Sequence, residues 1–152
     1  MVKRFLRIFG SDLMPSKGIS FIMFSGTADK FIPLGILTQS AVNLGMPVSI
    51  FATGWATMAF TKGGKEKVTR MPKEFEDMAP LLMKGMQDLK APSWYDMIKS
   101  AKELGDVKVY VCSMMAQALK IDTEHGLDPI VDDVVGAAAF LQMSEGSDKI
   151  MI

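Results

Sequence analysis

Residues 19–53 read ISFIMFSGTADKFIPLGILTQSAVNLGMPVSIFAT. Ile19 to Phe24 is a short apolar run stopped by Ser25-Gly26, the pattern of a strand buried on both faces. Thr27 is placed to cap a following helix and Asp29 favours its first turn. Phe31, Leu34, Ile36, Leu37, Ala41 and Leu44 then keep a roughly helical spacing up to a stop at Asn43 to Gly45. Pro33 is tolerable only near the first turn of that helix. Pro47 to Thr53 is a second apolar strand, and two such strands around one helix make a right-handed βαβ unit, which sets a parallel sheet.

Downstream, the same alternation continues with one looser stretch. Gly54 to Phe60 opens a helix or turn, and Thr61 to Arg70 is a polar, glycine-containing loop. Met71 to Leu89 mixes Pro72 and Pro80 with Met71, Met78, Met83 and Met86, which predicts short helices or a flap between core elements. Helical spacing returns from Trp94 to Leu104, after Pro92-Ser93 and before Gly105. Val107 to Val111 is the third strand, Ser113 to Leu119 a helix, and Ile121 to Pro129 a polar connection. Val134 to Met143 reads as an alanine-rich helix capped by Asp132-Asp133, and Lys149 to Ile152 as a last strand. The fold expected is a three-layer α/β/α sandwich around a mainly parallel sheet of four or five strands.

Upstream, Met1 to Lys17 differs in character. MVKRFLRIFG alternates basic and apolar residues and SDLMPSKG adds Pro and Gly punctuation, so residues 1–17 are expected to form an arm on a single domain spanning 18–152. With only Lys3, Arg4 and Arg7 as cations in MVKRFLRIFG, the arm is a poor membrane-surface anchor, and packing on a neighbouring subunit is its plainer reading.

Composition narrows the function classes. At 152 residues and 49% hydrophobic content the chain buries one core and is too short for two ordinary domains. Seventeen basic residues against seventeen acidic ones leave no long-range field to gather nucleic acid or anionic lipid. Lys30, Pro33, Gly45 and Pro47 interrupt the apolar stretches before the roughly 18 residues of a spanning helix, so no stable membrane insertion is expected. One cysteine forms no internal disulfide, and the N-terminus lacks a signal-peptide pattern, so a reducing cytoplasm is the expected compartment.

Ligands of open parallel sheets bind beyond the carboxyl ends of the strands, where strand-to-helix loops and helix starts face outward together. Three such ends are legible here: Ser25-Gly26-Thr27, Gly54-Trp55 and Cys112-Ser113-Met114. Cys112 falls at the last strand position or the cap of the next helix, where orphan N–H groups attract an anionic sulfur. The opposing reading makes it a small buried hydrophobe. Without a C-x-x-C pair an internal dithiol cycle is out of reach, although a persulfide passed to a partner is not. His125, the one histidine, lies in the polar IDTEHGLD segment and reads as a solvated loop residue. No ligand spacing supports a metal site, and Gly26, Gly54, Gly63 and Gly64 compose neither a GxGxxG fingerprint nor a phosphate loop, so no cofactor is expected.

Four stretches resemble the DsrE/DsrF-like (DsrEFH) sulfur-trafficking family, in its single-domain cytoplasmic branch. They are Phe24 to Lys30, Phe51 to Trp55, Ala101 to Gly105 continuing to Cys112-Ser113-Met114, and Val135 to Leu141. The methionine-rich middle fits the character of that branch, so the likeness runs from about Gly18 to the C-terminus. The resemblance implies a flavodoxin-like sandwich and trimers or hexamers. It also implies a cysteine, here Cys112, that carries a sulfane sulfur or thiosulfonate and exchanges it with TusA-like carriers or rhodaneses. Ser113, Met114, Ser25, Gly26, Thr27, Gly54 and Trp55 are the candidate pocket wall, chosen by strand-end position. Some relatives carry further cysteines that this chain lacks, and peroxidase activity is a weaker reading without a resolving thiol. The alternative is a non-catalytic oligomeric scaffold or binding subunit in which Cys112 is structural.

Overall fold

Five short strands pair in one parallel sheet in the computed structural model, which describes residues 17–152. All but the last residue of the expected arm lies outside the described residues. The strands are β1 (Ile19–Met23), β2 (Val48–Ala52), β3 (Val107–Cys112), β4 (Asp133–Val135) and β5 (Asp148–Met151), in the spatial order β4-β3-β2-β1-β5. The helices are α1 (Ala28–Asn43), α2 (Ala79–Asp88), α3 (Trp94–Leu104), α4 (Ser113–Ala118) and α5 (Ala137–Met143). The three-layer, flavodoxin-like α/β architecture is the one expected, and the sheet takes the larger of the two strand counts.

Strand order and handedness decide which face each helix covers. From β1 to β2 to β3 to β4 the chain steps in one direction across the sheet, so right-handed crossovers put those connections on one face. The step from β4 to β5 runs back past β3, β2 and β1, and the same rule puts α5 on the other face. Burial follows this division. Phe21, Met23, Val48, Ile50, Val107, Val109 and Val111 point to the first face and pack with Phe31 and Leu34 of α1 and Trp94 and Ile98 of α3. The alternate residues Phe51 and Cys112 point to the second face, where Phe140 of α5 meets them with Ile22, Tyr110 and Val135 at the edge of the cluster.

Several local expectations are corrected. The stretch expected as one helix from Val134 to Met143 is split, because Val134 and Val135 extend β4 against Val111 and Cys112 and the helix begins only after Gly136. β-branched residues beside an unpaired strand edge gain a ladder there, which overrides their weak helix preference. Asp132-Asp133 accordingly caps no helix. Asp132 accepts the Val109 N–H at 2.7 Å and pairs with Lys102, while Asp133 accepts the Val134 N–H at 2.7 Å. Thr27 occupies the N-cap position of α1 without capping it, since its hydroxyl is 2.9 Å from the Ser25 hydroxyl. Pro33 lies beyond the first turn of α1, where it has no N–H to give the Asp29 carbonyl.

Other elements match their sequence signals closely. α3 starts on Ser93, whose hydroxyl caps the helix by accepting the Asp96 N–H at 3.1 Å and donates to the Asp96 carboxylate at 2.7 Å. The methionine-rich middle forms a 3-10 helix (Lys73–Met78) and then α2, and no residue from 69 to 93 is buried. Phe75, Leu81, Met83 and Leu89 are exposed there. Among the described residues no helix is long and apolar enough to cross a membrane.

Asp132 ties the edge of the sheet to α3, because Lys102 belongs to α3 and the Val109 N–H to β3. Asp132→Ala leaves the Val109 N–H without its side-chain acceptor and Lys102 with the Ile130 carbonyl alone. It should lower unfolding stability by about 1–3 kcal/mol, read as a shifted urea midpoint at constant slope. Asp132→Asn, which keeps an acceptor oxygen, should lose less.

Candidate functional site

The carboxyl ends of β3 and β4 lie side by side, with Cys112 opposite Val135 in the ladder. From β3 the chain leaves into α4, whose Ala116 joins the first-face core. From β4 it leaves into α5, whose Phe140 covers the second face. Neighbouring strands whose chains depart to opposite faces create a crevice at a topological switch point, the usual ligand position in open α/β sheets. Cys112, Ser113 and Gly136 border this crevice, and a side chain added at Gly136 would stand 3.8 Å from the Ser113 hydroxyl.

Cys112 is both the last residue of β3 and the N-cap of α4. It is only 6% exposed. Its neighbours in the second-face cluster are Phe51 and Phe140, whose rings stack at 4.6 Å with an interplanar angle of 13°, and Tyr110 meets Phe140 edge-on at 6.2 Å. Phe140 is the one buried residue of the seven in α5. One aromatic anchor therefore holds down the helix that packs over the thiol. Met114, by contrast, is 75% exposed on the first turn of α4.

The other two strand ends meet each other. Gly54 has φ +52° and lies so near β1 that a Cβ would come within 2.8 Å of the Phe24 carbonyl oxygen, which also accepts the Trp55 N–H at 3.1 Å. Only glycine admits that approach at that backbone angle. Gly26 is similarly close to Trp55, where a Cβ would stand 3.2 Å from the Trp55 carbonyl oxygen. The result is a cleft of about 500 Å³ lined by Ser25, Gly26, Thr27 and Trp55, with Met58, Lys67, Val68 and Arg70 completing the wall. Of the expected pocket residues, Ser25, Gly26, Thr27 and Trp55 gather here, while Gly54 packs against Phe24 and does not line the cleft. Cys112, Ser113 and Met114 do not line this cleft.

Lys67 and Arg70 were read only as parts of a polar loop. Their signal lay in the density of cations in TKGGKEKVTR, yet nothing in that stretch tells which strand end it covers. The structure supplies the reason through a buried carboxylate. Asp128 accepts the Tyr95 hydroxyl at 2.7 Å, the Ile130 N–H at 3.0 Å and the Lys65 ammonium at 3.3 Å, and that ammonium sits 3.6 Å over the Tyr95 ring. At the far end of the loop the Arg70 carbonyl accepts the Ala28 N–H at 2.8 Å. The loop is thus pinned to α3 on one side and to the start of α1 on the other. His125 is exposed in a turn with Asp122 at 3.5 Å.

Compared with known proteins, residues 15–152 match the DsrE/DsrF/DrsH-like family. The chain is also 27% identical over 159 residues to the Bacillus subtilis (strain 168) protein described as "Uncharacterized protein YrkE". That likeness covers 90% of this chain and 98% of the other.

Phe140→Ala should loosen α5 and raise the rate at which a thiol reagent labels Cys112 at least about tenfold, since each ~1.4 kcal/mol lost in holding the helix multiplies the open population by ten. A labelling rate equal to the wild type would show that α5 does not control access. Both tyrosines of the chain titrate high: burial pushes Tyr95 up, aided by its bond to Asp128, and burial pushes Tyr110 up, aided by the charges of Asp132, Asp106 and Asp133. The folded protein holds these protons more tightly than the unfolded chain. Stability tied to the neutral phenols is therefore whole below the ordinary tyrosine value of about 10 and is lost as pH rises through the folded values. Ultraviolet absorbance should show less than half of the tyrosine ionised at the free-tyrosine midpoint while the protein stays folded.

Proposed function

The chain belongs to the DsrE/DsrF/DrsH-like family, and from that premise we propose that it is a sulfur-relay protein carrying a sulfane sulfur or thiosulfonate on Cys112. The observation that carries the reading is the position of this thiol, at the end of β3 beside the switch-point crevice. The Cys112 thiolate attacks the outer sulfur of a donor, forming an S–S bond while the donor's leaving group departs with the electron pair. An acceptor thiolate then attacks the outer sulfur and returns Cys112 as thiolate, so the cycle needs no external oxidant or reductant. A TusA-like or rhodanese-like carrier is the proposed exchange partner, and a trimer or hexamer the proposed assembly. Ser113 and Met114 form the proposed wall of the site, while the loops at Ser25 to Thr27 and Gly54-Trp55 meet at a cleft that Cys112 does not line. We assign residues 18–152 to the relay domain and 1–17 to an arm outside it, in a cytoplasmic protein.

A second reading is favoured by the burial of the thiol among Phe51 and Phe140. In it Cys112 is a packing residue of an oligomeric scaffold or binding subunit. The two readings differ in what the folded thiol can reach.

Intact mass of the reduced protein after incubation with polysulfide, thiosulfate or tetrathionate separates them. A reducible gain of sulfur or thiosulfonate is expected on the wild type and not on Cys112→Ser, which should keep its fold. No adduct, with a thiol that reacts only after unfolding, would leave the scaffold reading.

A further inference from the structure

We propose that the cleft between the β1 and β2 exits is a second site, separate from Cys112, that binds the oxyanion group of a small phosphate- or sulfonate-bearing ligand. The inference does not rest on the sulfur-relay reading. Its basis is the charge and hydrogen-bonding character of one cavity set against its neighbours.

Lys67 and Arg70 line the cleft, and no carboxylate does. Neither cation has an ion pair among the described residues, although the whole chain balances seventeen basic groups against seventeen acidic ones. The two adjoining cavities lack this excess. The one of about 380 Å³ carries Lys65 with Glu66, and the one of about 530 Å³ is apolar with Asp29 as its only charged wall residue. Asp29 lines that apolar cavity and not the cleft, and its carboxylate is occupied by Lys30 at 2.7 Å and by the Thr27 side chain.

Hydroxyls stand beside the charge. The Ser25 and Thr27 hydroxyls lie on the cleft wall, 2.9 Å apart, and the Thr27 hydroxyl also meets the Asp29 carboxylate. The start of α1 is not the source of binding, because the Thr27 N–H is taken by the Ser25 hydroxyl at 3.3 Å and the Ala28 N–H by the Arg70 carbonyl. That second bond instead fixes Arg70 beside the hydroxyl pair. A guanidinium and an ammonium on one volume, with hydroxyls on its wall, match the several acceptor oxygens of a phosphate or sulfonate. Trp55, 69% exposed on the same wall, offers an apolar face to the body of the ligand.

The test uses the full chain as Cys112→Ser, so that no sulfur adduct forms, titrated at low salt with inorganic phosphate, thiosulfate and adenosine monophosphate. Tryptophan fluorescence reports the site, because Trp55 is exposed and the one other tryptophan, Trp94, is 8% exposed. Calorimetry gives an independent reading. Saturable binding is expected, weakened about tenfold or more by Lys67→Gln or by Arg70→Gln, and weakened again by added salt. Both substitutions are on exposed side chains, so the fold should persist. Equal affinity for phosphate and the nucleotide would identify a site for the oxyanion alone, and tighter nucleotide binding would identify a ligand with an aromatic body on Trp55. No saturable change with any probe up to about 10 mM, or binding that the double variant retains, would overturn the proposal.

Discussion

The right-handed turn of every parallel crossover is the constraint on which the rest of this molecule depends. Three steps in one direction place α1 and α3 together over a broad apolar face, and one long return places α5 on the other, where Met115 of α4 also packs. The two faces are consequently unequal. The first buries a continuous core from Phe21 to Trp94, and the second buries a small cluster of which Phe51, Cys112 and Phe140 are the centre. The same reversal creates the gap between the β3 and β4 exits, so the position of the thiol and its thin cover have one topological cause.

A thiol at a crevice but under a helix meets two opposed demands if it is to carry sulfur, as proposed above. Burial in an apolar cluster stabilises the resting fold, since a small side chain there completes the packing of Phe51 against Phe140. Thiol exchange requires the sulfur to meet another sulfur in line. Seven residues held by one buried aromatic ring make α5 a weakly anchored cover, because short helices draw their stability from packing rather than from themselves. Helix α4 contributes from the other side, with Ala116 buried and Met114 left in solvent. The geometry favours access through α5 over access through the broad core.

Much of this was legible in the sequence, for reasons tied to particular residues. The apolar runs at Ile19 and Pro47 carry burial on both faces, the Val107 run alternates with exposed Lys108 and half-buried Tyr110, and the Ser93-to-Asp96 cap and Gly105 bracket α3 within a residue. What was not legible depended on partners distant in sequence. Val134 and Val135 become a strand only because β3 offers an open edge, and Asp132 is recruited by the Val109 N–H rather than by the helix that follows it. Site residues divide in the same way. Strand-end logic located Ser25 to Thr27, Gly54-Trp55 and Cys112, but it treated all the exits as one pocket wall, whereas the first two meet in a cleft that Cys112 does not line.

Lys67 and Arg70 show how a loop acquires a role that its own composition does not announce. Their placement follows from Asp128, a carboxylate buried by the connection after α4, which fixes Lys65 and Tyr95 and with them the course of residues 61–70. A buried carboxylate costs free energy unless its oxygens are occupied, and here three donors from three segments occupy them. Satisfying that one charge adds to the other ties of the loop, the Lys62 N–H to Gly126 carbonyl bond, the packing of Val68 on the core and the Ala28 N–H to Arg70 carbonyl bond. The two cations it carries then line the cleft at the β1 exit without an ion pair among the described residues, a local excess of positive charge that favours an anion.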